Sequence, residues 1–153
     1  MDEKKNAWER DFAFVGDFIS RAADLAYVEG AQGTSRLLVC LRGFLRYLRQ
    51  DSAWVPLADE LKAVEDYMTL CRVWDSGCNL SLPEPGSQFV PHRLLVDAVM
   101  RACAADFQAN QPGTDLSVRI ELLNPGKGKA RLTLTVDKSL PSGAEHLKRQ
   151  WEL

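Results

Sequence analysis

Apolar residues in the first fifty positions recur at alternating steps of four and three. Trp8, Phe12, Val15, Ile19, Ala22 and Ala26 mark one seam, and Leu37, Leu41, Phe44 and Leu48 mark a second. That spacing is the heptad of a packed helix, and it predicts helices over about Lys5–Val28 and Ser35–Arg49. Phe18 and Leu25 broaden the first stripe, and Leu38 and Leu45 the second, beyond what a two-stranded coil needs and toward a bundle. Gly30-Ala-Gln-Gly33 ends the first helix, with Thr34 or Ser35 expected to cap the second. So short a link predicts an antiparallel helical hairpin. Two helices alone cannot hide stripes this wide. Either the rest of the chain or a second copy must cover them.

After Trp54-Val55-Pro56 the helical period returns over about Leu57–Trp74, with Leu61, Val64, Met68 and Cys71 on one face. Cys78–Leu82 alternates briefly like a strand until Pro83-Glu-Pro85-Gly86 breaks it. A fourth helix follows Pro91, lined by Leu94, Leu95, Ala98, Val99, Ala102 and Cys103. Leu116–Leu122 and Leu132–Val136 then alternate at period two across the loop Asn124–Lys129, predicting a β-hairpin with one buried face. From Lys138 the chain is polar, and a last helical turn is expected around Ala144–Gln150. There is no internal repeat and no low-complexity stretch. The reading is α+β in two parts, residues 1–54 and 55–153.

Composition narrows the partners more than the fold. The 153 residues are 46% hydrophobic and 26% charged, which excludes a disordered chain. Nineteen Lys and Arg against 21 Asp and Glu leave a net charge of -2, so no overall electrostatic grip on nucleic acid or anionic membrane is expected. The longest apolar run, Leu37–Leu41, is far too short to span a bilayer. No apolar leader follows the charged start Met-Asp-Glu-Lys-Lys, and a cytoplasmic location is expected. Cys40, Cys71, Cys78 and Cys103 form no C-x-x-C pair, and His92 and His146 lie near none of them in sequence. Reduced thiols packed as small apolar groups are therefore expected, with no zinc.

Other candidate chemistry is thin. Arg42, Arg46 and Arg49 fall close to one face of the second helix, with Arg36 upstream. They read either as a contact surface for an acidic partner or, more plainly, as a solvated face. Trp8, Trp54, Trp74 and Trp151 are scattered without the aromatic–basic interleaving of a nucleic-acid platform. Ser20, Ser35 and Ser52 lack a nucleophile-elbow context, and Gly126-Lys-Gly128-Lys has no following helix to make it a phosphate cradle.

One set of residues does carry a resemblance. Leu41-Arg-Gly-Phe-Leu-Arg-Tyr47, then Val55-Pro-Leu-Ala-Asp-Glu60-Leu61, Tyr67 and Arg72, then Val90-Pro91 opening an apolar helix, fall in one order at set intervals. This order resembles the LytS-type sensor histidine kinases. Those carry an L-L-R-Y segment, then V-x-L-x-x-E-L leading into Y-L-x-x-x-x-x-R, then V-P-P-L-L-L-Q-P-L-V-E-N-A-I. The likeness covers roughly residues 8–137. It implies a dimerising and phosphotransferring helical hairpin, paired with a second copy into a four-helix bundle. A GHKL-type ATP-binding layer of helices on a sheet would follow.

The family's reactive groups are not matched. Where the resemblance places the phosphoaccepting histidine on the first helix, Glu9-Arg10-Asp11-Phe12 puts Asp11. Such chemistry needs a neutral imidazole to attack the terminal phosphoryl of ATP, whereas an aspartate in a first helical turn is ordinarily a solvated residue. Counting from Val90-Pro91, Met100 and Arg101 stand at the family's Glu-Asn pair, and neither holds a magnesium ion. Asp137 matches the adenine-contacting aspartate, but Ser139 replaces the glycine that follows it, and Pro141-Ser-Gly143 only loosely echoes the rest. With Leu153 ten residues on, neither a phosphate loop nor a closing strand is expected. The expectation is therefore a non-catalytic, truncated relative that uses no cofactor. It would be a homodimer that binds a response regulator or a sensor kinase through its hairpin. Its contact residues would be Trp8, Phe12, Val15, Ile19, Leu37, Leu41, Phe44 and Leu48, flanked by Arg42 and Arg46. The alternative is a phosphotransferase or weak ATP–Mg²⁺ binder whose missing groups come from a partner.

Overall fold

The computed structural model describes residues 2–72, 77–109, 115–123, 129–140 and 143–153, with backbone only at 2–14, 104–109 and 140. The elements are α1 (Asp2–Val28), α2 (Gln32–Leu48), β1 (Trp54–Pro56), α3 (Leu57–Cys71), β2 (Cys78–Ser81), β3 (Phe89–Pro91), α4 (Leu94–Ala109), β4 (Asp115–Leu123), β5 (Arg131–Leu140) and β6 (Gly143–Glu152). The class is α+β. The chain divides into two compact units, Met1–Gln50 and Asp51–Leu153. The sequence reading set the boundary at Trp54, which pairs with Pro91 inside the second unit.

In the first unit α1 stops because Gly30 takes the left-handed conformation, at φ +79. Its N–H donates to the Tyr27 carbonyl at 3.0 Å, and the Ala31 N–H donates to Ala26 at 2.7 Å. These two bonds satisfy the last carbonyls of the helix as a Schellman motif. The chain then re-enters a helix at once, and the Ser35 N–H bonds the Ala31 carbonyl at 3.0 Å. Ala31, with no side-chain bond, therefore precedes α2, and the expected Thr34 or Ser35 cap lies inside its first turn. Ile19, Ala23 and Ala26 on α1, with Phe44 and Tyr47 on α2, form the buried part of the hairpin.

The second unit is a four-stranded sheet in the order β2-β4-β5-β6, with β1 and β3 making a separate two-stranded ribbon. β2 runs parallel to β4, as a connection through α4 allows, and the remaining neighbours are antiparallel. Leu116, Val118 and Ile120 of β4 and Leu132, Leu134 and Val136 of β5 are all at most 3% exposed. They form the core with Leu57, Val64 and Met68 of α3 and Leu95, Val99 and Cys103 of α4, none of which is exposed. Alternation on the strands and the helical period on α3 and α4 thus meet in one layered core.

Two expectations are corrected here. The polar tail is a ten-residue strand, β6, and the expected helical turn at Ala144–Gln150 does not form. Nor does the chain lack a strand after Asp137, because Leu140 pairs directly with Gly143 and the register then runs without interruption to Arg131↔Glu152. The signal was absent because β6 is exposed almost throughout, so burial imposes no period-two pattern on it. Backbone pairing with β5 makes it a strand. The ribbon strands β1 and β3 were also unpredicted; only Val55 and Val90 face inward, at 2% and 0% exposure. The helix expected to reach Trp74 ends at Cys71 with Arg72 as its C-cap, and Val73 and Trp74 lie outside the described residues, as does most of the Asn124–Lys129 loop.

Candidate functional site

Two places could carry function: the junction of α3 with α4, where the kinase-like motifs fall, and the outer face of the hairpin. At the junction the organising group is Glu60. It sits on the same stripe of α3 as Leu57, Leu61 and Val64, so helical packing drives its side chain inward, and it is fully buried. Its Oε1 accepts the N–H groups of Leu95 at 2.7 Å and Val96 at 2.9 Å, and its Oε2 accepts that of Arg93 at 3.1 Å. These belong to the start of α4, whose first N–H groups have no partners within the helix. Glu60 is therefore a long-range cap, reaching from one helix to the N-terminus of another. Burial pushes its carboxyl above the ordinary value, while the three N–H donors and His92 pull it back without cancelling the effect.

Arg93 closes the turn into α4 with φ +67, a conformation that costs a non-glycine residue about 1–2 kcal/mol. Its guanidinium pairs with Asp97 at 2.9 Å, with both side chains about two-fifths exposed. An ion pair that open contributes well under about 1 kcal/mol. Arg93→Asn, which tolerates this backbone and keeps the N–H for Glu60, is therefore expected to raise stability by about 0.5–1 kcal/mol. Arg93→Val is expected to lower it by at least about 1 kcal/mol. Urea unfolding midpoints of the two variants check both signs.

The residues expected at the nucleotide positions do other work. Arg101 is exposed, and its Nε donates to the Asp97 carbonyl one turn back at 3.1 Å. Met100 is half-buried and offers no oxygen to a cation. Asp137 belongs to the set on β5 that alternates with buried Leu132, Leu134 and Val136, and its Oδ1 lies 2.5 Å from Nδ1 of His146 across the β5–β6 pair. His146 went unassigned in sequence because its strand was not legible. This donor set does not fit a magnesium-bound nucleotide. Asp11 has only its backbone described, within α1, so its side chain lies outside the described residues, as do those of Trp8 and Phe12.

Behind the junction Tyr67, Cys71, Cys78 and Cys103 lie near one another, and the three thiols are buried. None of the four cysteines is joined in a disulfide. Burial pushes the Cys71 thiol up to about 12 although its hydrogen bond with Tyr67 pulls the other way. That shift keeps Cys71 as the thiol, and all three buried sulfurs pack as small apolar groups. Among the described residues no group of three or more His, Cys, Asp or Glu side chains is placed to hold a metal.

The hairpin presents the second place. Of the expected contact residues, Ile19 and Phe44 are buried between α1 and α2. Leu37, Leu41 and Leu48 are only half-covered, and Val15 is 42% exposed. Phe18 and Leu25, at 65% and 58% exposure, continue Val15 at steps of three and seven along the same face of α1. Leu38 and Leu45 are likewise half-covered on α2. So α1 carries two apolar stripes, one closed within the hairpin and one open, while the second stripe of α2 is half-covered. Arg36, Arg42, Arg46 and Arg49 are exposed, and the Arg42 Nη1 donates to the Ser20 hydroxyl on α1 at 2.9 Å. No acidic residue occurs in α2, whereas the described side chains of α1 include Asp17 and Asp24.

No helix among the described residues is long and apolar enough to cross a membrane. In comparisons with known proteins, the chain matches no family model and no curated sequence.

Proposed function

We propose that this chain is a non-catalytic signalling protein whose helical hairpin is an association surface, used first to pair with a second copy. The observation that carries this is the open apolar stripe: Val15, Phe18 and Leu25 on α1 stand in water at helical spacing. A hairpin leaving such a stripe is half of a four-helix bundle, in which α1 of one copy lies beside α2 of the other. The arginines of α2 then face the acidic residues of α1 across copies, which favours that arrangement over like helices side by side. In keeping with the LytS-type resemblance, the bundle would engage a response regulator or a sensor-kinase subunit by sequestration. Phosphate would not pass through this chain.

Nucleotide chemistry is the competing outcome. The occupied Asp137 and Arg101 side chains and the ligand-poor Met100 support its absence. Titrating the full chain with ATP–Mg²⁺ in a calorimeter is expected to give no saturable heat up to about millimolar ligand, weaker than roughly 4 kcal/mol of binding. Micromolar affinity would overturn the non-catalytic reading in favour of a kinase-like protein completed by a partner.

A further inference from the structure

The outer edge of β6 is a second surface, in the other unit and made of backbone. β6 is the last strand in the order β2-β4-β5-β6, and among the described residues nothing pairs with its far side. It is ten residues long, against four for β2 at the opposite edge, and its register with β5 has no bulge. A long, regular edge presents a row of N–H and C=O groups ready to accept another strand. Charged residues often guard such an edge, and β6 carries Glu145, Lys148, Arg149 and Glu152. Their order decides whether they guard it or direct it.

We propose that β6 pairs antiparallel with β6 of a second copy about a two-fold axis at Leu147, joining two four-stranded sheets into one. In antiparallel pairing, opposed residues point to the same face, so a self-paired strand must be centred on a single residue. Centring on Lys148 or Arg149 sets like charges against each other on the axis. Centring on His146 sets Lys148 against Ala144 and Arg149 against Gly143, with no opposite charge for either. Centring on Leu147 sets Leu147 against its own copy and Glu145 against Arg149 in both directions. It also sets Trp151 against Gly143 twice, so the indole lies across backbone that has no side chain of its own. Leu147, at 36% exposure, and the half-covered Trp151 lie on the face of Val136 and Leu132 and would extend that apolar row across the axis. On the other face, Lys148 of the second copy stands beside His146, which Asp137 already contacts. That carboxylate offsets the lysine charge.

This surface is separate from the hairpin, and the test keeps the two apart. Full-length Leu147→Cys and Lys148→Cys chains are oxidised with diamide, and self-linked peptides are followed by mass spectrometry, with the wild-type chain as control. The experiment is repeated in a Phe18→Glu/Leu25→Glu background, where the hairpin cannot pair. Residue 147 is expected to cross-link to its own copy at least about tenfold faster than residue 148 in both backgrounds, because only residue 147 is opposed to itself. Equal rates, or no link at residue 147, would overturn the proposal. Charge reversal supplies an independent arm. Glu145→Arg is expected to weaken the β6-dependent association about tenfold, and adding Arg149→Glu to restore it. Failure of the double reversal to restore pairing would also overturn it.

Discussion

Glu60→Ala is expected to lower the stability of the full chain by about 3–5 kcal/mol. The substitution leaves the N–H groups of Leu95 and Val96 without an acceptor where they are buried, and that of Arg93 without one where it is part-buried. Each buried, unsatisfied donor costs about 1–3 kcal/mol, and the vacated side-chain volume adds a cavity. Relaxation of the first turn of α4 keeps the total below the simple sum. Glu60→Gln is the milder probe. Its carbonyl oxygen still serves Leu95 and Val96, but its amide N–H₂ faces the Arg93 N–H, for a cost of roughly 1–2 kcal/mol.

The pH dependence of that pair follows from the direction of the Glu60 shift. Burial raises the carboxyl above its ordinary value of 4.5, so folding favours the protonated form. The stability so contributed is complete below the ordinary value and is lost as pH rises through the folded one. The advantage of wild type over Glu60→Gln, which does not titrate, should therefore shrink as pH climbs from about 4 toward neutrality. Urea unfolding of both proteins across that range measures it. An advantage that grows with pH would mean that the helix N-terminus holds the ionised carboxylate and that the N–H donors outweigh burial.

What the sequence made legible divides along physical lines. Both helices of the hairpin, α3, α4 and the β4–β5 pair were predicted because each buries one face, and burial writes a period into the residues. The same logic explains the misses. β6 is exposed almost throughout and its existence rests on β5, a partner that local pattern cannot reveal. The ribbon strands of three residues are too short to show any period. Within the candidate sites, the sequence reading named Glu60 only inside a motif, although a carboxylate on the apolar stripe of α3 is itself a signal that it must be satisfied internally. The N–H donors that satisfy it lie more than thirty positions away, beyond the reach of local reading. The pairing of Asp137 with His146 depended on the unread strand. On the hairpin, the spacing of apolar residues showed that the stripes were too wide, while the structure sorted them into closed residues such as Ile19 and open ones such as Phe18.

Phe18→Glu/Leu25→Glu is expected to have the largest effect on association. Covering a side chain of this size gains about 2 kcal/mol, and a two-fold bundle covers each position twice. Placing carboxylates there removes that gain and opposes like charges in an apolar seam. The dissociation constant should rise by about four orders of magnitude or more, which corresponds to roughly 6 kcal/mol. The fold of each chain should persist, because both positions are open in the single hairpin and the closed residues Ile19, Ala23 and Ala26 are untouched. Far-UV circular dichroism should accordingly show unchanged helix content.

The most direct measurement is the light-scattering mass of the Leu147→Lys chain, in which the strand edge cannot contribute, with and without Phe18→Glu/Leu25→Glu. A hairpin-mediated pair predicts twice the chain mass of 17.1 kDa before the substitutions and 17.1 kDa after them. A monomer before the substitutions, or a dimer that survives them, would contradict the assignment of the hairpin as the association surface.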